Sequence, residues 1–421
     1  MKRTSILASA TSALLFIAAI AIGIPSASAS ITLPKGSFQP CSAASAPYCI
    51  ESVSVTPAGA KAIVLSWVAD GSAGASAGNT NGVAAGKVLP GRWTADSAFA
   101  SENYDGLYLD IKAANEFVPW IYVDAYPTFS PGNKVSLAAT VASATTPVNL
   151  NADAAITIKL RISDFKVGVT YGIATEAVLD LKSAGGVNTF ELTGFPVKVP
   201  QAKSPKDCKG DAGVSSAVVT QFGTILVPSN DPNYGFSFEG STGSIYVGSN
   251  GSCNLSTPVW SPDKKSLSYK ASAPRLAPDG TTINTGFYYA TISSADAMAL
   301  WGLKKVEDAA SALVISLKTT ATGTTGATKN VAVKNGRVII QVFGFEFPDP
   351  MLDISLNPAY DAKSTSATSA TNMSAQATVK KTATPKPVAK VKTTTISCLK
   401  GNVLKKVTGV KPTCPTGYKK K

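Results

Sequence analysis

Tyrosines and carboxylates alternate with apolar residues in two segments of the chain, and this spacing could recognise a ligand. The apolar residues of the two segments are Leu107, Leu109, Ile111, Ile121, Val123 and Ala125. The polar residues between them are Tyr108, Asp110, Lys112, Tyr122, Asp124 and Tyr126. A two-residue period is typical of a β-strand that turns one face to a core. The polar side chains of each segment are therefore expected to share the outer face of a strand.

If the two strands are neighbours, these side chains form an exposed patch that combines rings with carboxylates. A ring stacks on the apolar face of a sugar, and carboxylates accept hydrogen bonds from its hydroxyls. We therefore predict a glycan-binding patch made of Tyr108, Asp110, Tyr122, Asp124 and Tyr126. The alternative is that tyrosines stand there because they suit a half-exposed strand.

The chain of 421 residues contains no histidine, which removes several kinds of catalysis. Serine and cysteine nucleophiles activated by histidine, and zinc held by histidine, are excluded. Glycoside hydrolysis needs only two carboxylates. The candidate acids are Glu102, Asp105, Asp110, Glu116 and Asp124. Because no spacing marks two of them as a catalytic pair, we predict a protein that is not an enzyme, with no catalytic residues and no cofactor.

Three polar residues that alternate with apolar ones, Asn149, Asn151 and Asp153, offer oxygen ligands. Calcium needs six to eight such ligands, and no glycine-bearing loop that ends in glutamate follows. The segment is instead predicted to be a turn, so no metal site is expected.

The first 29 residues have the pattern of a signal peptide. Lys2 and Arg3 precede an apolar run from Ala13 to Ile24, and Ala27-Ser28-Ala29 matches a cleavage site. The alternative is a retained membrane anchor, but Ser9, Thr11 and Ser12 shorten the apolar stretch. We expect cleavage, export, and no transmembrane anchor in the mature chain.

Six cysteines agree with export, because disulfides persist outside the reducing cytosol. They are Cys41, Cys49, Cys208, Cys253, Cys398 and Cys414. The closely spaced pairs of a zinc site are missing, and six cysteines allow fifteen pairings.

An internal repeat selects one of these pairings. The landmarks that recur in the same order are Gly106-Leu107-Tyr108 with Gly286-Phe287-Tyr288, Ile156–Leu160 with Leu313–Leu317, and Gly194-Phe195 with Gly344-Phe345. A duplication aligns Cys49 with Cys253 and Cys41 with Cys208, which predicts Cys41–Cys49, Cys208–Cys253 and Cys398–Cys414. Chance matching of β-rich sequence is the alternative.

Short β-branched runs between turn signals predict an all-β fold. We expect two tandem Ig-like β-sandwich domains, residues 31–202 and 203–358, the second a possible duplicate of the first. One short helix is expected over residues 294–301, with Ser294 as its cap.

Almost all of the net charge lies at the C-terminus. Residues 363–421 contain 13 lysines and no acidic residue, whereas residues 30–362 contain 24 basic and 26 acidic ones. Residues 363–395 are rich in Ala, Ser, Thr, Lys and Pro and are predicted to be a disordered linker. Residues 396–421 are predicted to form a small basic module, with two short strands around Gly401-Asn402 and a disulfide.

The ending of the chain resembles a C-terminal tail found in many secreted or surface proteins of actinobacteria. The resemblance covers about 26 residues at the end of the chain. It rests on Cys398-Leu399-Lys400-Gly401, Val407-Thr408-Gly409-Val410 and Cys414-Pro415-Thr416-Gly417-Tyr418. It implies export and a role at the cell surface, and it implies no activity for the β domains.

The sequence therefore predicts a secreted, cell-wall-associated surface protein with an adhesive, structural or interaction role. Its partners would be anionic wall polymers or extracellular polysaccharide, bound by tail lysines at positions that include Lys400, Lys405, Lys406, Lys411, Lys419, Lys420 and Lys421. Nucleic acid is the rival polyanion, without sequence preference; a merely solvated tail is a second alternative. The alternative functions are extracellular carbohydrate binding and, less favoured, glycoside hydrolysis.

Overall fold

The computed structural model describes residues 33, 38–76, 88–114, 119–129, 149–202, 208, 212–228, 240–318, 327–360, 394–400, 403–409, 414 and 418–420. These residues are mostly β-structure, which confirms the all-β fold class. They belong to two compact units, residues 1–362, called the body, and residues 363–421, called the tail unit. The predicted signal peptide and most of the predicted linker lie outside the described residues.

The strands of the body follow one another through the whole unit. In chain order they are β1 (Tyr48–Thr56), β2 (Ile63–Val64), β3 (Ser66–Ser76), β4 (Val88–Thr94), β5 (Gly106–Ala114), β6 (Trp120–Phe129), β7 (Ala155–Ile162), β8 (Phe165–Ile173), β9 (Thr175–Ala184), β10 (Val187–Phe195), β11 (Val197–Gln201), β12 (Ser215–Pro228), β13 (Ile245–Ser249), β14 (Asn254–Leu255), β15 (Val259–Ser261), β16 (Ser266–Ser272), β17 (Thr285–Ser293), β18 (Leu313–Lys318), β19 (Thr328–Lys334), β20 (Arg337–Glu346) and β21 (Met351–Leu356). The α-helices are α1 (Asp96–Phe99), α2 (Ser294–Trp301) and α3 (Ala309–Ala312), and two 3₁₀ turns cover Pro262–Lys264 and Val306–Asp308.

One sheet of eleven strands, called the central sheet, runs through the body. Its order is β19-β20-β17-β13-β8-β12-β6-β3-β4-β5, with β11 attached to β12. Its strands pair antiparallel except β8 and β13, which are parallel. Strand β5 also pairs with β6, so strands β3 to β6 close on one another.

A five-stranded sheet, the first small sheet, packs on the front face of the central sheet. Its order is β2-β1-β7-β10-β9. The first hydrophobic core lies between the two sheets and includes the apolar residues of β5 and β6 that the alternation predicted: Leu107, Leu109, Ile111, Ile121, Val123 and Ala125. Burial of an apolar face is what stabilises such a layered pair of sheets.

A second small sheet, β14-β16-β21-β18 with β15 joined to β16, packs on the opposite, back face. It covers the other half of the central sheet. The second core contains back-face residues of β13, β17 and β20, among them Ile245, Val247, Ala290, Ile292, Val338 and Ile340. Two sandwiches therefore share one central sheet, each using a different face of it.

Strand β8 contributes to both cores because it contains a bulge. Val167 packs in the first core, and Val169, two residues on, packs in the second. The register with β12 shifts between Ile225 and Leu226, opposite this point. The extra residue of a bulge reverses the face of the residues that follow it.

The central sheet crosses the predicted boundary between residues 202 and 203. Strand β12 follows the boundary, yet it pairs with β6 and β8, which precede it. The body is thus one compact unit with two large cores among its described residues, and not two tandem domains over residues 31–202 and 203–358. Periodicity reports which residues share a face, and it does not report which strands pair across a sheet.

The landmarks of the proposed duplication occupy corresponding places in the fold only in part. Gly194-Phe195 ends β10 in the first small sheet, whereas Gly344-Phe345 lies in β20 of the central sheet. Gly106-Leu107-Tyr108 and Gly286-Phe287-Tyr288 both lie in the central sheet, in β5 and β17. Ile156–Leu160 and Leu313–Leu317 lie in the two small sheets, in β7 and β18. The duplication of the sequence therefore stays a prediction.

Two of the predicted disulfides are present. Cys41–Cys49 has a Cα–Cα distance of 4.9 Å, and Cys208–Cys253 has one of 5.5 Å. Cys414 is also disulfide-bonded. The side chain of Cys398 lies outside the described part, so the pairing of Cys398 with Cys414 stays a prediction.

The predicted helix α2 is confirmed with its bounds, but its cap lies one residue earlier. The Ser293 hydroxyl oxygen accepts a hydrogen bond from Asp296 N at 3.0 Å. The buried Asp296 carboxylate in turn accepts hydrogen bonds from Thr242 N at 2.6 Å and Ser244 N at 3.0 Å. The start of the helix is thereby joined to the turn that leads into β13.

The tail unit contains a sheet of three short strands, β22 (Thr394–Lys400), β23 (Val403–Gly409) and β24 (Lys419–Lys420). Strand β22 lies between the other two and pairs antiparallel with both. Strands β22 and β23 flank Gly401-Asn402, as the sequence predicted.

Candidate functional site

Six side chains of β5 and β6 form a group that we call the tyrosine–aspartate stripe: Tyr108, Asp110, Lys112, Tyr122, Asp124 and Tyr126. The two strands are neighbours, which was the condition for these side chains to form one patch. The two strands pair antiparallel, with Tyr108 opposite Tyr126, Asp110 opposite Asp124 and Lys112 opposite Tyr122. Paired residues of an antiparallel sheet project on the same side, so the stripe lies on the back face of the central sheet.

The stripe is mostly buried, and the prediction of an exposed patch is wrong. Tyr108, Asp124 and Tyr126 are 9%, 3% and 2% exposed, while Asp110 and Tyr122 are half-buried. Lys112 is the exposed member of the stripe. Strand β6 lies inside the central sheet, and alternation alone cannot tell a solvent-facing side from a second buried one.

Two polar contacts hold the stripe together. The Tyr126 hydroxyl donates a hydrogen bond to Asp124 Oδ2 at 3.0 Å, and Lys112 Nζ lies 3.0 Å from Asp110 Oδ2. The rings of Tyr108 and Tyr126 stack with centroids 6.3 Å apart. Asp124 Oδ1 is buried and has no hydrogen-bond partner among the described residues.

Burial dominates the electrostatics of the stripe. It raises the pKa of Asp124 to about 6. The hydrogen bonds from Tyr126 and Gln221 and the charge of Lys112 lower this pKa, but they offset the effect of burial only in part. Burial also raises the pKa of Tyr122 and Tyr126, and the charge of Asp124 adds to the effect. Burial alone would lower the pKa of Lys112, but the hydrogen bond and charge of Asp110 raise it. At neutral pH Asp124 therefore carries its charge where water barely reaches.

The stripe continues across the sheet through residues that the sequence did not single out. Gln221 of β12 lies opposite Asp124, and Gly223 lies opposite both Tyr122 and Tyr171. A Cβ at Gly223 would lie 2.8 Å from the Tyr171 ring, so glycine leaves the room that this ring occupies. The Tyr171 ring in turn lies 6.4 Å from that of Tyr269 in the second core. No local signal marks these residues, because only the strand pairing brings them to the stripe.

The candidate acids do not assemble a hydrolytic site within the described residues. Asp110 and Asp124 face each other, but a polymer cannot reach Asp124 at its depth in this structure. Glu102 accepts a hydrogen bond from Asn151 Nδ2 at 2.6 Å, and Asp105 lies 3.9 Å from Arg92 Nε. Glu116 lies outside the described residues.

The predicted turn at Asn149, Asn151 and Asp153 is confirmed. Asn151 Oδ1 accepts a hydrogen bond from Asp153 N at 2.8 Å, and Asn149 Oδ1 accepts one from Val218 N at 2.7 Å. These bonds use the oxygens to close the turn and to attach it to β12. In the described ranges no three cysteine, aspartate or glutamate residues group as a metal site would require.

The tail lysines are distributed over the three strands of the tail unit. Lys400 ends β22, Lys405 and Lys406 lie in β23, and Lys419 and Lys420 form β24. Lys405 and Lys420 are both register partners of Cys398, so they share one row across the sheet. Lys411 and Lys421 lie outside the described residues.

Comparisons with known proteins give no relative of this chain. No family model, no curated protein and no solved structure matches it. Among the described residues, no helix has the length and apolar character needed to cross a membrane.

Proposed function

We propose that the protein is secreted and held at the cell wall by its lysine-rich C-terminal segment, where it acts as a non-enzymatic adhesive or structural surface protein. The separation of charge carries this proposal. Residues 363–421 have 13 lysines and no acidic residue, whereas residues 30–362 are close to neutral. The segment that binds is thus distinct from the body that is displayed.

Simple electrostatics makes such a segment adhesive. A lysine near an anionic lipid surface contributes about 1 kcal/mol, and a wall rich in phosphate and carboxylate is a comparable polyanion. Three or four engaged lysines would be enough for retention. Because salt screens these contacts, the attachment is expected to weaken at high ionic strength.

Two further features support export. The N-terminal 29 residues have the three-part pattern of a signal peptide. The two disulfides of the body, Cys41–Cys49 and Cys208–Cys253, are compatible with an oxidising compartment. Carbohydrate binding or hydrolysis by the tyrosine–aspartate stripe is not part of the proposal, because Asp124 and Tyr126 are buried.

Truncation of the chain after residue 362 tests the proposal. We expect the full-length protein to sediment with cells and to be released by about 1 M salt, where the Debye length is about 3 Å. The truncated protein should appear in the medium. The measurement is the fraction of protein in the cell pellet and in the medium at increasing salt.

A matched pair of variants separates charge from mere presence of the tail. Changing the 13 lysines to arginine keeps the charge and should preserve retention, whereas changing them to glutamine should abolish it. Retention that survives the glutamine variant, or that ignores salt, would contradict the proposal. Release by nuclease treatment would instead identify nucleic acid as the polyanion.

A further inference from the structure

A group of aromatic and polar side chains separate from the tyrosine–aspartate stripe lies on the front face of the central sheet, on strands β17, β20 and β19 at one end of the sheet. The second core occupies the back face of these strands. The first small sheet contacts the front face of these outer strands at Arg337 of β20, whose Nη2 lies 2.8 Å from Asp180 Oδ1 of β9. Beyond that contact the front face continues toward the edge strand β19.

The strand register defines two rows of side chains on this part of the front face. Thr328, Phe343 and Phe287 form one row, and Asn330, Gln341 and Tyr289 form the next. Tyr289 is buried against the first core. The remaining five residues, called the front platform, are Thr328, Asn330, Phe287, Gln341 and Phe343.

Phe343 is the centre of the front platform. It is 41% exposed, and among aromatic side chains whose exposure the structure describes it is the only exposed one. Phe287 lies beside it, half-buried, with the ring centroids 6.3 Å apart. By contrast, Phe345 and Phe347 of the same segment are fully buried in the second core. Phe343 is therefore exposed to solvent, whereas the two aromatic residues that follow it in the chain are buried.

Amides and a hydroxyl surround this ring. Asn330 Nδ2 donates a hydrogen bond to Gln341 Oε1 at 3.3 Å, which aligns the two side chains. Each amide has two donor hydrogens and an acceptor oxygen, so this bond leaves further positions for a ligand. Thr328 adds an exposed hydroxyl group next to Phe343.

The front platform carries no charged side chain. In the row next to Phe287 and Phe343, Glu346 stands opposite Thr285, and its Oε2 lies 3.7 Å from Arg275 Nη2. On the other side, the basic pair Lys334 and Arg337 lies two rows beyond Asn330 and Gln341. An uncharged surface offers nothing to an anionic polymer. A protein partner is also disfavoured, since stable protein interfaces bury about 800 Å² on each side around several apolar anchors.

The geometry points to the front platform as a binding site for a neutral polysaccharide. One pyranose would stack its apolar face on Phe343, and Asn330, Gln341 and Thr328 would hydrogen-bond its hydroxyls. This site goes beyond wall attachment by the tail, because it gives the displayed body a ligand of its own. Since it uses no charge, its binding should persist at salt concentrations that release the tail.

Affinity electrophoresis of the full-length protein tests the site, with starch, a mixed-linkage β-glucan or a galactomannan in the gel. We expect at least one of these polymers to retard the wild-type protein, with and without high salt in the gel. Phe343→Ala should weaken the binding about tenfold, a loss of one stacked ring. Gln341→Ala should weaken it in the same direction, and Phe343→Tyr, which keeps the ring, should bind like wild type.

Val259→Ala is the matched control, because Val259 is 57% exposed in another part of the body. It should bind like wild type, and thermal unfolding should show that all variants are folded. The site is overturned if none of the three polymers retards the wild-type protein or if Phe343→Ala binds as well. If Phe343→Ala changes only the oligomeric state in light scattering, the platform is a contact between copies. Loss of salt-sensitive cell retention alone would concern the tail and not this site.

Discussion

Asp124 is an acidic residue whose side chain is almost completely buried. Its carboxylate accepts a hydrogen bond from the Tyr126 hydroxyl and is stabilised by the side chain of Gln221, but Oδ1 is buried without a close hydrogen-bond partner among the described residues. Asp110 stands opposite it, and Lys112 is the nearest cation on the stripe. A buried charge with incomplete pairing costs stability, which is why the pKa of Asp124 rises to about 6.

This raised pKa predicts how stability depends on pH. In the unfolded chain Asp124 loses its proton near its ordinary pKa of 3.8, but in the folded protein it does so only near pH 6. The contribution of Asp124 to the free energy of unfolding should therefore fall as pH rises between about 4 and 6, and then level off. Asp124→Asn removes this fall and should be more stable than wild type at pH 7, by on the order of 2–3 kcal/mol.

Urea unfolding of both proteins from pH 4 to pH 8 measures this difference. Asp263→Asn is the control, because Asp263 is exposed. Its pH profile should run parallel to that of the wild type. If the profile of Asp124→Asn also ran parallel, the buried carboxylate would not be the cause.

At the scale of the elements, the two disulfides of the body differ in the sequence separation of the cysteines that they join. Cys41–Cys49 joins residues 8 apart, next to a β-bridge between Pro40 and Ile50 in which Ile50 N donates to Gln39 O at 2.9 Å. Cys208–Cys253 joins residues 45 apart and links the segment before β12 to the segment after β13. A disulfide that closes a longer loop removes more conformational freedom from the unfolded chain.

Removal of each disulfide should therefore have an unequal effect. Loop-closure entropy gives about 2.5 kcal/mol for Cys41–Cys49 and about 4 kcal/mol for Cys208–Cys253. We expect the double variant Cys208→Ser/Cys253→Ser to lower the urea midpoint more than Cys41→Ser/Cys49→Ser does. Each pair serves as the control for the other, and the reverse order would contradict the entropic explanation.

For the whole molecule, the shared central sheet makes the body a single folding unit. Strand β12 fills the place between β6 and β8, and its Phe222 and Leu226 belong to the first core. Tyr246 of β13 and Tyr289 of β17 also enter that core from the C-terminal half. Neither sandwich is complete without residues from the other half of the chain.

A fragment of residues 30–202 should consequently fail to fold on its own. It would expose the edges of β6 and β8 and leave the first core without Phe222 and Leu226. We expect no cooperative urea transition and poor dispersion of its amide NMR signals, whereas residues 30–362 should unfold in a cooperative transition. A fragment 30–202 that folds cooperatively would restore the two-domain interpretation.

Much of the local structure could be predicted from the residues alone. The alternation in β5 and β6, the helix over 294–301 and the strands around Gly401-Asn402 all follow from periodicity and turn chemistry over a few residues. The pairing of Tyr108 with Tyr126 and of Asp110 with Asp124 was expected if the strands were neighbours, and they are. The pairings Cys41–Cys49 and Cys208–Cys253 are confirmed, whereas the duplication used to select them stays a prediction.

What only the tertiary structure decided is the environment of those residues. Sequence determined the all-β character, the faces of the strands and the separation of the lysine-rich end from a nearly neutral body, because these depend on composition and on neighbours along the chain. Burial of Asp124 and exposure of Phe343 depend on which distant strands pair and which face each small sheet covers. A two-residue period is the same whether the second face of a strand is exposed to solvent or buried. Only contacts between distant segments distinguish the two cases.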